Sequence, residues 1–284
     1  MNRPPITVIA TETSGLKAED QVIAIGAVTL APDGRLEAPR ASFIALREGV
    51  TISPDARAVH GIAPDMLDGA PTTHEALLAL AIHGPGPLAA HGAGRERRFL
   101  PQLLTDLDTG AHRIWLDTEK LALARWPQAS SHAVPALFQD LGGHWKALGY
   151  EAARAAGVRP AAEAGGEAGD LAGSEAPDTA RSGARDTAWD TAWDAIQAAC
   201  LLAAILDDPR EGWSLTWCES VSRGPARIVT MPFGKHKGER FEALPQGYLD
   251  WLCSPAGPRS HPEVIAAALA ERGRRRPARG SAHA

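Results

Sequence analysis

The sequence predicts an α/β fold, a mixed sheet flanked by helices, followed by a small α+β unit. Three observations carry this. Three strand-like runs come first, helical and strand-like runs then alternate, and Asp207-Asp208-Pro209 opens a second set of short elements. The 284 residues suit one main domain with a smaller appendage, and 44% hydrophobic residues are enough for a core.

Residues 6–9 are apolar and β-branched and read as a strand. Residues 21–30 and 41–46 read as the second and third, with Asp33-Gly34 as a turn between them, so an antiparallel meander is expected. From Pro54 the pattern turns helical, with an apolar run over 76–82. Short buried strands are expected over 87–90 and 113–116, with a helix over 95–107 between them. Helices follow over 118–125 and 134–141. Residues 151–186 hold only Val158 and Leu171 as larger apolar side chains. Such a segment cannot bury enough surface to offset its ordering entropy, and it reads as a disordered insertion. A helix over 189–206 places Trp193, Ile196, Cys200 and Ala203 at helical spacing toward the core.

The second unit begins with a helix over 213–221. Strands over 228–233 and near Arg240-Phe241 then flank the turn at Gly234-Lys235-His236-Lys237-Gly238, and helices over 246–253 and 262–272 close it. Trp251 is expected in the core, because Tyr248, Leu249 and Leu252 share its helix. The chain thus divides into residues 1–207, 208–272 and a basic tail at 273–284.

No run approaches the roughly 20 apolar residues of a membrane span, so no membrane association is expected. A strand-like run follows the first five residues directly, which argues against a signal peptide. Cys200, Cys218 and Cys253 are scattered, which argues against a disulfide framework or structural zinc and makes a cytoplasmic setting natural. The net charge of −5 does not announce a nucleic-acid binder. Its distribution is less neutral. Lys235, Lys237 and Arg240 cluster at one turn, Arg223 and Arg227 lie upstream, and five arginines crowd the stretch from Arg272 to Arg279. A local basic patch can hold a phosphate backbone on an acidic chain. For the tail alone, a solvated end is the preferred reading.

In a strand, residues i and i+2 share a face, so a D-x-E pair at a strand end aims two carboxylates at one spot. A pair of divalent ions roughly 3.5–4 Å apart needs several such oxygens. Residues 8–16 hold this pattern with alanine in the first place: Ala10, then Glu12 in Thr11-Glu12-Thr13-Ser14-Gly15-Leu16. Taken alone, a glutamate there is more often a surface residue.

The surrounding segments add to it. Residues 52–66, with Val59-His60-Gly61-Ile62, resemble the segment after the first three strands of DnaQ-like, or DEDD, 3′–5′ exonucleases. Residues 89–100 resemble that family's second motif, a carboxylate in the first helical turn after a buried strand, here Glu96. Asp194, after Trp193, resembles the third. Residues 115–127, 231–238 and 247–252 are similar to the exodeoxyribonuclease X branch, including its small C-terminal module.

The resemblance implies a ribonuclease H-like sheet and a 3′–5′ exonuclease that hydrolyses phosphodiesters at DNA 3′ ends or in single-stranded DNA. It implies Mg2+ or Mn2+ as cofactor and Glu12, Glu96 and Asp194 as catalytic residues, with Glu12 and Asp194 as metal ligands. Leu16 and His60 would flank the terminal nucleotide, and Lys235, His236 and Lys237 would contact phosphates.

The chain departs from the family at several places. Ala10 replaces the aspartate that touches both ions, and Trp189 stands where the general-base histidine belongs. Gly92 and Arg95 replace an asparagine and an aromatic residue. Losing a general base costs about 10²–10⁴ in rate. Impaired catalysis and weakened metal binding, with at most one ion, are therefore expected. Asp190, one turn before Asp194, is a candidate replacement ligand, although a surface aspartate at a helix start is the plainer reading. His91 lies on the strand side of the second motif and is not taken as the base. Two alternatives stand beside the enzyme: a catalytically inactive nucleic-acid binder and a protein-interaction scaffold. The oligomeric state is open.

Overall fold

The computed structural model describes residues 3–82, 84, 86–105, 111–158, 179–207, 214–258 and 261–275, with the backbone alone over 179–187. Most of the expected insertion, Leu107, Trp213 and the tail from 276 lie outside the described residues.

The sheet is built on β1 (Ile6–Thr13). It pairs antiparallel with β2 (Val22–Leu30), which pairs antiparallel with β3 (Leu36–Phe43). On its other side β4 (Leu88–Ala90) and β5 (Trp115–Asp117) run parallel, giving the order β3-β2-β1-β4-β5. This is the expected ribonuclease H-like mixed sheet. β1 outlasts its apolar stretch, because β2 supplies hydrogen-bond partners as far as Thr13. β3 begins earlier than the apolar run suggests. The Asp33-Gly34 turn sets Leu30 opposite Leu36, and Ala38 and Pro39 bulge out opposite Val28. An edge strand tolerates such a proline.

Helices cover both faces. α1 (Pro54–His60) and α2 (Thr73–Ala79) are capped by Ser53 and Thr72, which accept bonds from the Ala56 and Glu75 amides. α3 (Gly94–Phe99) is shorter than the expected helix over 95–107, because Pro101 cannot continue it and a 3-10 turn follows over Pro101–Leu103. α4 (Thr118–Arg125) and α5 (Val134–Asp140) fall where expected. α6 (Gly143–Ala156) corrects the insertion reading. Residues 151–156 are helical, and Ala152, Ala153 and Val158 are buried. Small alanines let this helix pack closely against α7 (Thr179–Leu206), which itself starts ten residues before position 189.

The expected core positions on α7, Trp193, Ile196, Cys200 and Ala203, are buried against Val8, Val28, Phe138 and Leu201 on one face of the sheet. Ile9, Ile25 and Ala27 face the other way, onto Ala76, Leu77 and Leu100. Gly26 fixes how closely α7 approaches. A Cβ there would lie 2.3 Å from the Thr191 carbonyl oxygen and 2.4 Å from the Ala192 nitrogen. Ala10 pairs directly with Gly26, so this approach brings the middle of α7 over the end of β1.

α8 (Leu215–Arg223), expected to open the second unit, instead buries Cys218 and Val221 in the α7-side core, and the C-terminal unit holds α9 (Gln246–Leu252) and α10 (Pro262–Arg275). The strands expected over 228–233 and at Arg240 do not form. They are reduced to one bridge, Thr230 with Arg240, because the Gly234–His236 stretch winds into a 3-10 turn. Met231, Phe241, Leu244, Leu249, Leu252, Val264 and Ala268 make a separate core. Trp251 is not part of it and is 43% exposed, a correction to its expected burial. No helix among the described residues is long and apolar enough to cross a membrane.

Candidate active site

Glu12, Glu96 and Asp194 come from β1, α3 and α7 and gather at one end of the sheet. Their charges act on one another. Burial first, and then the negative charges of Asp194, Glu96 and Asp190, raise the Glu12 pKa to about 7. Asp194 is raised to about 6, by burial and then by Asp190 one helical turn away. Glu96 is 2% exposed, and burial raises its pKa as well.

Strand geometry separates these groups. Ala10 packs on the α7 side of the sheet, and Glu12 shares its face by the two-residue period. Thr11 points the opposite way, and its Oγ1 donates to Glu96 Oε1 at 3.0 Å. Glu96 therefore meets β1 from the far face, and its Oε2 is buried without a hydrogen-bond partner.

Arg95 sits among these acids. Its Nε lies 3.8 Å from Glu96 Oε1. Its guanidinium opposes the upward shifts at Glu12, Asp194, Glu96 and also Glu119, whose pKa is raised chiefly by burial. In the sequence Arg95 marked only a departure from an aromatic position. The approach of one cation to acids on four elements is tertiary, and no local pattern announces it.

These residues do not fit a pair of divalent ions. Where the resemblance implies a bridging carboxylate, Ala10 offers only a methyl group; Glu96 is turned to Thr11, and the Arg95 guanidinium already supplies positive charge. Among the described residues no three His, Cys, Asp or Glu side chains are grouped to hold a metal ion. Trp189, half-buried against the α7-side core, offers no proton acceptor. His91 is also committed. Its Nε2 donates to the His132 carbonyl at 2.8 Å, so its Nδ1 accepts from the Thr118 hydroxyl at 3.1 Å, and burial lowers its pKa.

Leu16 projects from the loop after β1 and is 73% exposed. Arg98, a residue the sequence did not single out, donates from Nη1 to the Leu16 carbonyl at 3.1 Å and holds that loop. His60 ends α1, which docks on the same end of β1 where the Ser53 amide donates to the Ser14 carbonyl at 2.8 Å. The His60 Nδ1 accepts from the Ile62 amide at 3.0 Å, and burial lowers its pKa. Lys235 and Lys237 lie apart from these residues in sequence, on the turn of the C-terminal unit. Lys235 Nζ is 5.3 Å from the Tyr248 ring centroid.

Residues 7–82 match the family described as "Exonuclease", and residues 226–261 match one described as "Putative quorum-sensing-regulated virulence factor". No curated protein matches the sequence. Among solved structures, exonuclease X in complex with 5′-overhanging duplex DNA is 21% identical over 76% of this chain and 99% of that one, with a TM-score of 0.48. E. coli exonuclease I in complex with a dA16 oligonucleotide is 11% identical over 45% of this chain and 32% of that one, with a TM-score of 0.38. A full-length 3′-exonuclease is 18% identical over 50% of this chain and 53% of that one, with a TM-score of 0.41. The match to the family described as "Exonuclease" spans β1, β2, β3 and the segment carrying Glu12, Leu16 and His60.

Proposed function

We propose that the protein binds single-stranded DNA or DNA 3′ ends through its exonuclease fold and that its hydrolysis of them is impaired. The observation that carries this reading is the cation among the acids: Arg95 stands beside Glu96 and acts on Glu12 and Asp194, while Ala10 removes the carboxylate between them. Leu16 and His60 frame the end of a strand, Leu16 as an exposed apolar wedge and His60 as a neutral polar contact. Lys235 and Lys237 serve phosphates. Glu12, Glu96 and Asp194 are the remnant of the hydrolytic site. Any metal ion held by Glu12 and Asp194 is held weakly.

The division into residues 1–207, 208–272 and a basic tail belongs to the same reading. So does a cytoplasmic setting, which three free cysteines support. Family resemblance over residues 7–82 favours DNA processing over a scaffold role.

The test is digestion of end-labelled single-stranded DNA with Mg2+ or Mn2+, beside the Ala10→Asp, Trp189→His double variant. The natural chain is expected to bind the DNA and leave it nearly intact, and the double variant to cleave at least about 10²-fold faster. Rapid cleavage by the natural chain would overturn the impairment. Failure to bind the DNA at low salt would overturn the DNA reading.

A further inference from the structure

We propose that Trp251 and Tyr248 form a stacking platform for an unpaired base of single-stranded DNA, with Lys235 and Lys237 beside it for the flanking phosphates. The choice of ligand rests on the DNA reading above, but the site lies outside the exonuclease domain.

α9 divides its side chains sharply. Leu249 and Leu252 are fully buried in the C-terminal core, while Trp251 is left 43% exposed. A tryptophan contributes most to stability when buried, so an indole kept in water on so small a unit calls for a use. Its ring stacks on Tyr248, with centroids 5.3 Å apart and planes at 29°. The His236 ring lies 4.4 Å beyond, and Lys235 Nζ is 5.3 Å from the same Tyr248 centroid. An aromatic row thus runs from Trp251 through Tyr248 to the Gly234–His236 turn. Tyr248 is half-buried against the core, so the row is fixed before any ligand arrives.

The charges around the row favour a polyanion. Arg272 pairs with Asp250 at 2.8 Å, and Arg274 and Arg275 each pair with Glu271 at 2.7 Å. Arg240 pairs with Glu242 at 3.3 Å. Glu239 is engaged by His236 at 3.0 Å. The arginines of this unit are thus largely neutralised within it. Lys235 and Lys237 have no carboxylate partner among the described residues. Aromatic faces beside unpaired lysines match single-stranded nucleic acid, whose bases offer π faces and whose backbone repeats a negative charge.

The test is binding of a fluorescently labelled oligo-dT to the full chain, followed by anisotropy in EDTA so that cleavage does not contribute. Trp251→Ala is expected to weaken binding about 5- to 100-fold. Trp251→Phe keeps most of the affinity, because a ring remains. Lys235→Gln lowers the slope of log affinity against log salt by about 0.7. Circular dichroism checks that Trp251→Ala keeps the fold. If the parent chain binds oligo-dT and Trp251→Ala binds equally well, the platform is overturned and the DNA reading stands. If the parent chain does not bind oligo-dT at low salt, both fall. Loss of affinity in Trp251→Ala for an acidic peptide alone, with oligo-dT binding unchanged, also overturns it.

Discussion

Glu12 titrates near 4.5 as a free side chain and at about 7 in the fold. Between those values the folded chain binds more protons than the unfolded one. Stability therefore falls as pH rises from about 4.5 to about 7 and is flat above that. Asp194, raised from 3.8 to about 6, adds to the same trend. Glu12→Gln removes the larger part of the penalty. It is expected to stabilise the protein at pH 8 by on the order of 1–3 kcal/mol and to change little at pH 4. Thermal unfolding at the two pH values checks this, and a lower melting temperature for Glu12→Gln at pH 8 would contradict it. At this scale the sequence was informative about which residues matter and silent about how they meet. Glu96 falls in the first turn of α3 as its motif implies. Its bond to Thr11 follows from strand alternation combined with helix docking, which the motif does not encode.

Among the elements, β2 and α7 position the site. Gly26 lets the α7 backbone rest on the sheet, and the atoms a Cβ would strike, Thr191 O and Ala192 N, are backbone atoms that cannot rotate aside. Gly26→Ala is expected to cost about 3 kcal/mol, at the upper end of overpacking effects, and to disturb the Asp194 position. Gly247→Ala, on α9 with nothing within 4 Å of its Cβ, is expected to be neutral or slightly stabilising. Denaturant melts of the two variants compare them directly, and a Gly26→Ala midpoint equal to the parent's would refute the close approach. Most elements were legible from hydrophobic period alone, because β2 and α7 carry long uninterrupted patterns. The failures have physical causes. β3 is a half-exposed edge strand with a bulge, and its apolar residues do not mark its start. α6 ends in alanines that look like filler until a partner helix is beside them.

In the whole molecule, the five-stranded sheet and the C-terminal unit meet through α8. The Asp117 amide donates to Ser222 Oγ at 2.8 Å, and Lys120 Nζ donates to the Ser222 and Gly224 carbonyls at 3.0 and 2.7 Å. Ser222 is buried, so Ser222→Ala strands the Asp117 amide and is expected to cost about 1–3 kcal/mol in a denaturant melt. An unchanged midpoint would mean that the bond carries no weight. This junction was invisible in the sequence, because a serine on a helix is an unremarkable residue until a strand end faces it. The Gly234–Gly238 turn was legible as a turn, but its flanking strands were not, since one bridge is all the pairing that so short a loop sustains.

We propose that Arg95 and Ala10 leave an acidic cluster unable to hold two ions. Calorimetric titration of the natural chain with Mn2+, beside Ala10→Asp with Arg95→Phe, tests it most directly. The expected result is at most one weakly held ion in the natural chain and tighter binding, with a second ion, in the variant. Two ions bound tightly by the natural chain would contradict the account.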